Sequence, residues 1–491
     1  MIEEIKKHIS LHIVLLLITI LIAVFFRFYN TPNRYGFDYD PTRDALIVDY
    51  AVKTLQFPLI GPPSGVGPFG FGPWYYYQLI LFKIVLPLDY APWIYIGILS
   101  TLSVFVMYKI GVLMEGKTFG LLLASLAAVS PAETGQIRAL SNPTLIPLYA
   151  TLSIWIFLKF IKKNPSLWLA FLWGVVLGIG INNHYQMLGL LPLPLILFIY
   201  KKKKRWMGIV LFLIGIFLAF LPLIMFNLSH DLSTVKGIIF YITEGKNNVY
   251  IPNRWLFYIR DFWPMFWSYV LGLPSKFSIP IALYTVIGSF YLFCKGKISI
   301  GYIFLAIAFG INLFLLRSFP GQREYYYLLY LHPFIFIFFG LVIWQTFRFN
   351  FGRYIGFIIL VIVFSGMILN SFVSLGTRED YVQFKRESQA IINNYTNKKF
   401  VLYECSNSQR NRVRGVVFFL NKENKISEDG VRIAFPNERC LLPENGKSQA
   451  VHLQGTKAID ISYFSEETLL RYGWKKITPK TVFTQLHQLN L

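Results

Sequence analysis

Apolar runs of roughly 17–22 residues recur along this chain, and a run of that length is what an α-helix needs to cross a bilayer. Backbone inside a bilayer has to satisfy its own hydrogen bonds, which a helix does within one segment. Hydrophobic residues are 55% of the 491 and aromatics 18%, with a mean hydropathy of +0.50. A water-soluble fold has no interior large enough for so much apolar sequence. The pattern predicts an α-helical polytopic membrane protein. The net charge of +22 does not indicate nucleic acid, because the basic residues fall in short segments between apolar runs, where membrane topology accounts for them.

Eleven transmembrane helices are expected, at about 9–28, 91–110, 117–132, 143–161, 165–182, 184–200, 206–228, 278–294, 299–317, 325–346 and 354–374. With the N-terminus inside, the inner segments carry Lys6 and Lys7, Lys109 and Lys117, Lys159 with Lys162 and Lys163, the run Lys201–Arg205, Lys295 with Lys297, and Arg348 with Arg353. The short outer turns carry little: Arg138, nothing basic at Asn182–Asn183, and Arg317 with Arg323. That asymmetry places the C-terminus outside. The apolar stretch Trp74–Leu88 would invert every later loop if it crossed. It opens with Trp74, Tyr75, Tyr76 and Tyr77, side chains suited to the headgroup level, so it is expected to lie flat on the outer interface. Residues 29–90 then form a first long outer loop with interfacial helices, and 229–277 a second, rich in tryptophan. The first run, Leu11–Phe26, has no small-residue cleavage site and is followed by Arg27, so it is expected to remain as a span.

The composition changes near residue 375, dividing the chain into a membrane domain, 1–374, and a small α/β domain outside the membrane, 375–491. Strands are expected at Phe400–Tyr403, Val416–Leu420, Val431–Phe435 and Ala458–Tyr463. Cys405 and Cys440 lie in this part, where a disulfide or two buried thiols are equally open. With Cys294 they show no metal-ligand spacing.

The stretch FDYDPTRDA, residues 37–45, concentrates charge at one membrane face of an otherwise apolar chain. Asp38, Asp40 and Asp44 supply carboxylates and Arg43 a cation. A carboxylate partly desolvated at a membrane edge is a stronger base, which makes Asp40 the leading candidate for a general base. Arg43 would orient it or pair with Asp44. Asp40-Pro41-Thr42 also reads as a helix N-cap followed by proline. For an anionic lipid phosphate, Arg138 and Arg323 stand at outer ends of spans, and an arginine fork donates two parallel bonds to phosphate. Each also fits a snorkelling interfacial arginine. His184 and Tyr185 open a span at its outer end, where a lone histidine is more often a structural hydrogen-bonding residue than a ligand-binding one. Glu133 is a second acid or a helix-end charge. No nucleotide cradle and no metal motif is present.

The motifs DPTRDA, GPWYYYQL, SPAETGQIRALSNPTLIP, NNHYQMLGLLPL and REYYYLLYLHP, in that order across about residues 9–346, resemble the GT-C class of membrane glycosyltransferases, in the branch with protein O-mannosyltransferases and the lipid A aminoarabinose transferase. The resemblance implies a polyprenyl-phosphate sugar as donor, inversion at the anomeric carbon and a first-loop acid as base. Asp40 matches the leading Asp of the D-E-x-R pattern and Arg43 its arginine, while Pro41 replaces the second acid. Either Asp38 or Asp44 then compensates, or a metal role for the pair is absent. Gly72 stands where the aminoarabinose transferase has a phosphate-binding lysine. Tyr326 matches a tyrosine near the donor phosphate, and Tyr76 lies in the interfacial motif, among the expected substrate-binding residues with Arg138, Arg323 and His184.

The expected function is transfer of a hexosyl or pentosyl group to an envelope acceptor (lipid, glycan or protein) at the outer face of a prokaryotic plasma membrane. Membrane lipid and the lipid-linked donor are the partners; no cofactor beyond that donor is required, and a divalent metal stays open. The alternative is a lipid or glycan transporter, whose charged sites would lie near the bilayer midplane. The topology is checked by cysteine labelling: Lys201→Cys is expected to react with membrane-impermeant reagents only from inside, and labelling from outside would overturn the assignment of sides.

Overall fold

The computed structural model describes residues 11–162, 166–201, 205–244, 254–317, 324–405, 410–435, 449–453 and 456–487. Among them the helices are α1 (Leu11–Phe28), α2 (Tyr39–Thr54), α3 (Trp74–Val85), α4 (Ala91–Glu115), α5 (Lys117–Val129), α6 (Pro131–Thr134), α7 (Ile146–Lys162), α8 (Trp168–Asn183), α9 (Pro192–Tyr200) and α10 (Arg205–Ser229). There follow α11 (Ser233–Glu244), α12 (Arg254–Phe257), α13 (Trp263–Val270), α14 (Ser278–Cys294), α15 (Ile300–Arg317), α16 (His332–Thr346) and α17 (Gly352–Val373).

Eight of the described helices are long and apolar enough to cross a membrane. The other three expected spans are occupied by shorter apolar helices, Lys117–Val129, Trp168–Asn183 and the stretch Tyr185–Tyr200. Proline and polar residues cut them short: Ser130-Pro131 stops α5, and Asn182, Asn183 and His184 interrupt the run between α8 and α9. At 12 residues, α3 is about 18 Å long, well under a bilayer's apolar thickness. Tyr75, Tyr76, Leu79 and Ile80 of α3 face the protein, while Leu81, Ile84 and Val85 are exposed.

Helix α16 is apolar on every side because it lies at the centre of the bundle, with all but two of its residues buried. Helices α1, α14 and α17 are mostly exposed and apolar, as lipid-facing helices are. Between α8 and α10 the backbones meet directly. A Cβ on Gly174 would sit 2.0 Å from the Phe212 carbonyl oxygen, and one on Gly215 2.3 Å from that of Phe171. Small residues of this kind let membrane helices approach closely.

Beyond α17 come α18 (Glu379–Asn394), α19 (Arg410–Lys422), α20 (Glu466–Arg471) and α21 (Pro479–His487), with strands β1 (Phe400–Cys405), β2 (Val431–Ala434), β3 (Gln449–Leu453), β4 (Thr456–Asp460) and β5 (Trp474–Ile477). The sheet order is β3-β4-β2-β1-β5, with β1 and β2 parallel and the remaining pairs antiparallel. One expectation is corrected: Val416–Leu420 is not a strand but the middle of α19. All five of its residues are buried, and a helix covered on all sides shows the same unbroken apolar run as a buried strand. Cys440 lies outside the described residues, so the disulfide question stays with the sequence.

The C-terminal domain packs onto α2 through α19 and α21. Phe37, just before α2, is ringed by Trp93, Tyr381, Phe418 and Phe419 at 5.1–5.3 Å between ring centroids, and Tyr50 meets Phe483 at 4.7 Å. Beside these rings, Asn421 donates to Asp49 (3.2 Å) and accepts from Lys53 (3.3 Å), and Lys83 pairs with Asp49. The seam between α8 and α10 provides a direct test of the fold. Gly174→Leu is expected to cost about 1–3 kcal/mol through overpacking, seen as a lowered unfolding midpoint of the purified protein in detergent.

Candidate active site

Helix α2 begins two residues earlier than the proline pattern suggests. Asp38 occupies the N-cap position, with extended backbone and no side-chain capping bond, so Asp40 lies in the first turn and is not the cap. The Thr42 hydroxyl donates to the Asp38 carbonyl at 3.0 Å and helps close that turn. Neither carboxylate is spent on capping, and both stay available for other work.

Arg43 organises the site. Its side chain is only 8% exposed, with Nη1 2.6 Å from Asp40 Oδ1 and Nε 2.7 Å from Asp44 Oδ1. Asp44 is fully buried and also accepts from the Tyr76 hydroxyl at 2.8 Å. Tyr76 comes from α3, so this chain of bonds fastens α3 to the first turn of α2. Burial raises the Asp44 carboxyl, against the opposing pull of Arg43. Its remaining oxygen, Oδ2, is buried without a hydrogen-bond partner. Burial and the Asp44 charge push the Tyr75 and Tyr76 hydroxyls well up, which keeps both neutral, Tyr76 as the donor to Asp44. Asp40, in contrast, has a side chain 56% exposed. The burial expected of it is therefore not found; what the structure gives Asp40 is a position fixed by Arg43.

Asp38 has the more perturbed environment. Crowding by surrounding protein raises its carboxyl, Asp380 and Asp40 add to the rise, and Arg378 opposes it. Around it the segment after α17 folds back onto the first loop. The Phe37 amide donates to Asp380 Oδ2 at 2.6 Å, Arg378 Nε donates to Asp380 Oδ1 at 3.1 Å, and the Arg378 amide donates to the Asn33 carbonyl at 2.9 Å. Arg138 joins the same group, its carbonyl accepting from the Gly36 amide at 2.6 Å. Tyr39 lies beneath two guanidinium groups, Arg414 at 4.5 Å and Arg43 at 5.8 Å from its centroid, and Arg414 is held by a two-bond pairing with buried Glu404.

The structure thus brings Asp38, Asp40, Arg43, Asp44, Tyr76 and Arg138 into one neighbourhood. His184 and Tyr326 belong to a second, aromatic group. The His184 ring lies between Phe71 (4.6 Å) and Tyr327 (5.5 Å), and its Nδ1 accepts from the Gln186 amide at 3.2 Å, which is the structural bonding role. Tyr326 is exposed, its ring tilted against that of Tyr327 at 4.2 Å between centroids. Arg323 lies outside the described residues. Glu133 is buried and bonded to His332 Nδ1 at 2.6 Å, away from solvent. Gly72 has a clear steric reason. Its amide bonds to the Asn182 carbonyl, and a Cβ there would fall 1.6 Å from the Asn182 Oδ1, so a lysine at this position would collide with α8.

Arg378, Asp380, Arg414 and Tyr39 were not singled out by sequence. The signal for the first two was present: GTRED follows the last span directly, a second cluster of charge at the membrane edge. Among the described residues no group of three or more His, Cys, Asp or Glu side chains could hold a metal, and the site's carboxylates face guanidinium groups instead.

No family model and no curated protein matches the sequence. Solved structures do. ArnT from Cupriavidus metallidurans in the apo state superposes with a TM-score of 0.57 at 10% identity, over 92% of this chain and 97% of that one. The same protein bound to undecaprenyl phosphate gives 0.53 at 10%, over 93% and 98%. The Archaeoglobus fulgidus oligosaccharyltransferase, in complex with Zn and sulfate, gives 0.54 at 13%, over 76% of this chain and 55% of that one. The chain therefore spans a little over half the length of the oligosaccharyltransferase and nearly all of ArnT. Both neighbours are GT-C glycosyltransferases, and the fold of this chain is the GT-C fold. At these identities the fold is what is shared.

The Arg43 pairings make separable predictions for stability. Asp44→Ala leaves a buried guanidinium uncompensated and is expected to destabilise by about 3–5 kcal/mol. Tyr76→Phe, which removes one bond to a charged group, is expected to cost about 1.5–3 kcal/mol. Unfolding in detergent measures both.

Proposed function

We propose that the chain is an inverting membrane glycosyltransferase that takes a sugar from a polyprenyl-phosphate carrier and passes it to a cell-envelope acceptor at the outer face of a prokaryotic plasma membrane. The observation that carries this reading is Asp40: a carboxylate open to solvent, held through Arg43 by buried Asp44 and Tyr76, at one end of a GT-C helix bundle. One Asp40 oxygen is oriented by Arg43. In the proposed reaction the acceptor hydroxyl gives its proton to Asp40 while its oxygen bonds to the anomeric carbon. The bond from that carbon to the phosphate oxygen breaks, and polyprenyl phosphate leaves with the electron pair. Cationic groups beside the leaving phosphate lower the barrier by stabilising that charge. Arg138 is the described donor-side arginine for that task. ArnT was solved with undecaprenyl phosphate bound, which supports a lipid of that class as the carrier here. A transporter would place its ionisable groups near mid-membrane; the charged group here clusters where the first loop meets the segment after α17.

Reconstitution with a labelled polyprenyl-phosphate sugar tests the reading. Asp40→Asn is expected to lower the transfer rate about a hundred- to ten-thousandfold, the usual cost of losing a general base, with the fold and donor binding preserved. Asp38→Asn is expected to do less. If Asp38→Asn abolishes transfer while Asp40→Asn is nearly normal, the base is Asp38, whose raised carboxyl would then set the acid limb of the pH–rate profile. Unchanged transfer by both variants would remove this loop from the chemistry.

A further inference from the structure

Phe37 and Tyr39, just before Asp40, are held from beyond the last span. The Phe37 amide donates to Asp380 at 2.6 Å, and the Phe37 ring is packed by Tyr381, Phe418 and Phe419. Asp380 and Tyr381 belong to α18, Phe418 and Phe419 to α19. Two residues on, the Arg414 guanidinium of α19 lies over the Tyr39 ring, 4.5 Å from its centroid. The same ring is 5.8 Å from the Arg43 guanidinium, whose Nη1 is bonded to Asp40. A continuous set of contacts therefore runs from the C-terminal domain through Tyr39 to the pair that fixes Asp40.

Arg414 is too deeply covered to touch a substrate. Its side chain is 3% exposed, and its Nε and Nη2 are bonded to Glu404 of β1 at 3.3 and 3.2 Å. A buried ion pair of this kind adds little stability that packed apolar side chains could not supply. What it does supply is a cation at a fixed place, because the two-bond pairing sets the guanidinium plane. That cation lies over the ring of the residue next to Asp40, and cation–π attraction is stronger out of water. Asp40 itself is 56% exposed, so its place depends on Arg43 and on the backbone that carries it.

We infer that Arg414 is a positioning residue for Asp40: held by Glu404, it fixes the Tyr39 ring and through it the first turn of α2. The inference rests on the proposed transferase reading for the reaction that this placement serves. It gives the C-terminal domain a share in the rate without contact to substrate, since a reacting group misplaced by about 1 Å loses roughly a hundredfold.

The test uses full-length protein in nanodiscs. It measures turnover of a labelled undecaprenyl-phosphate sugar, hydrogen–deuterium exchange over residues 37–44, and the unfolding midpoint. Replacing the pair together, Glu404→Leu with Arg414→Met, removes the cation without leaving a buried charge unpaired. This variant is expected to lower kcat about ten- to a hundredfold and to leave the donor KM unchanged. Exchange over 37–44 is expected to speed up while β2 and β4 exchange as in the wild type. Arg414→Lys, which keeps a cation for the ring and for Glu404, is expected to recover part of kcat. Tyr39→Leu removes the ring and leaves the ion pair intact. It is expected to show the same pattern, and combining it with the paired replacement to add no further loss, because coupled residues are not additive. If the paired replacement lowers the unfolding midpoint, Tyr39→Leu decides by the same readouts. Wild-type kcat, or unchanged exchange over 37–44, in a variant with the wild-type midpoint overturns the inference. So does a raised donor KM at wild-type kcat, which places Arg414 in binding. Wild-type protein that turns over no polyprenyl-phosphate sugar sinks the transferase reading, and the exchange measurement then decides the positioning alone. Normal transfer, with kcat and exchange unaltered by both changes, keeps the transferase and removes the positioning role.

Discussion

The Arg43 ion pairs hold the first loop in a definite shape. A guanidinium buried to this degree is stable only with its charge compensated, and Asp44 supplies that compensation inside the protein while Asp40 supplies it at the surface. Because Asp44 also accepts from Tyr76, the pairing couples two helices that a long loop would otherwise leave independent. Everything proposed for Asp40 depends on this. A flexible surface carboxylate would spend little time in the orientation that proton transfer requires, and the bonds to Arg43 remove that freedom before any substrate arrives.

Arginine in this protein serves two separate purposes. At helix ends within the bundle it satisfies orphan carbonyls: Arg27 bonds to Ala127 and Ala128 in the last turn of α5, and Arg34 bonds to main-chain oxygens at the ends of α1 and α17. Such donors have no capacity left for a ligand. Arg43 instead holds two carboxylates of the first loop. A count of positive charge does not separate these two classes. The hydrogen-bond ledger of each side chain does.

Much of the architecture was legible in the sequence because the membrane enforces it. Apolar runs of the right length become helices, and the proline and polar breaks at Ser130-Pro131 and Asn182–His184 end them. The charged stretch 37–45 stood out for the same reason, being polar where apolar sequence is the rule. Less legible were positions whose meaning depends on a distant partner. Tyr76 looked like an interfacial aromatic, and it is a buried donor to Asp44. Val416–Leu420 looked like a strand, and it is the core of a helix pressed between the C-terminal sheet and Phe37.

The sequence by itself determined the polytopic helical character, the location of the charged first loop and the presence of a separate α/β segment after the last span, since each follows from local composition and periodicity. The tertiary structure decided which carboxylate is open and which is buried, that Asp38 and not Asp40 stands at the N-cap position, and that Arg378 and Asp380 from beyond α17 bond to Asn33 and Phe37 of the first loop. The physical reason is range. Hydrophobic periodicity is a property of neighbours along the chain, whereas burial and many hydrogen-bond partners are set by residues distant in sequence, as where Asp380 accepts from the Phe37 amide, which no local pattern records.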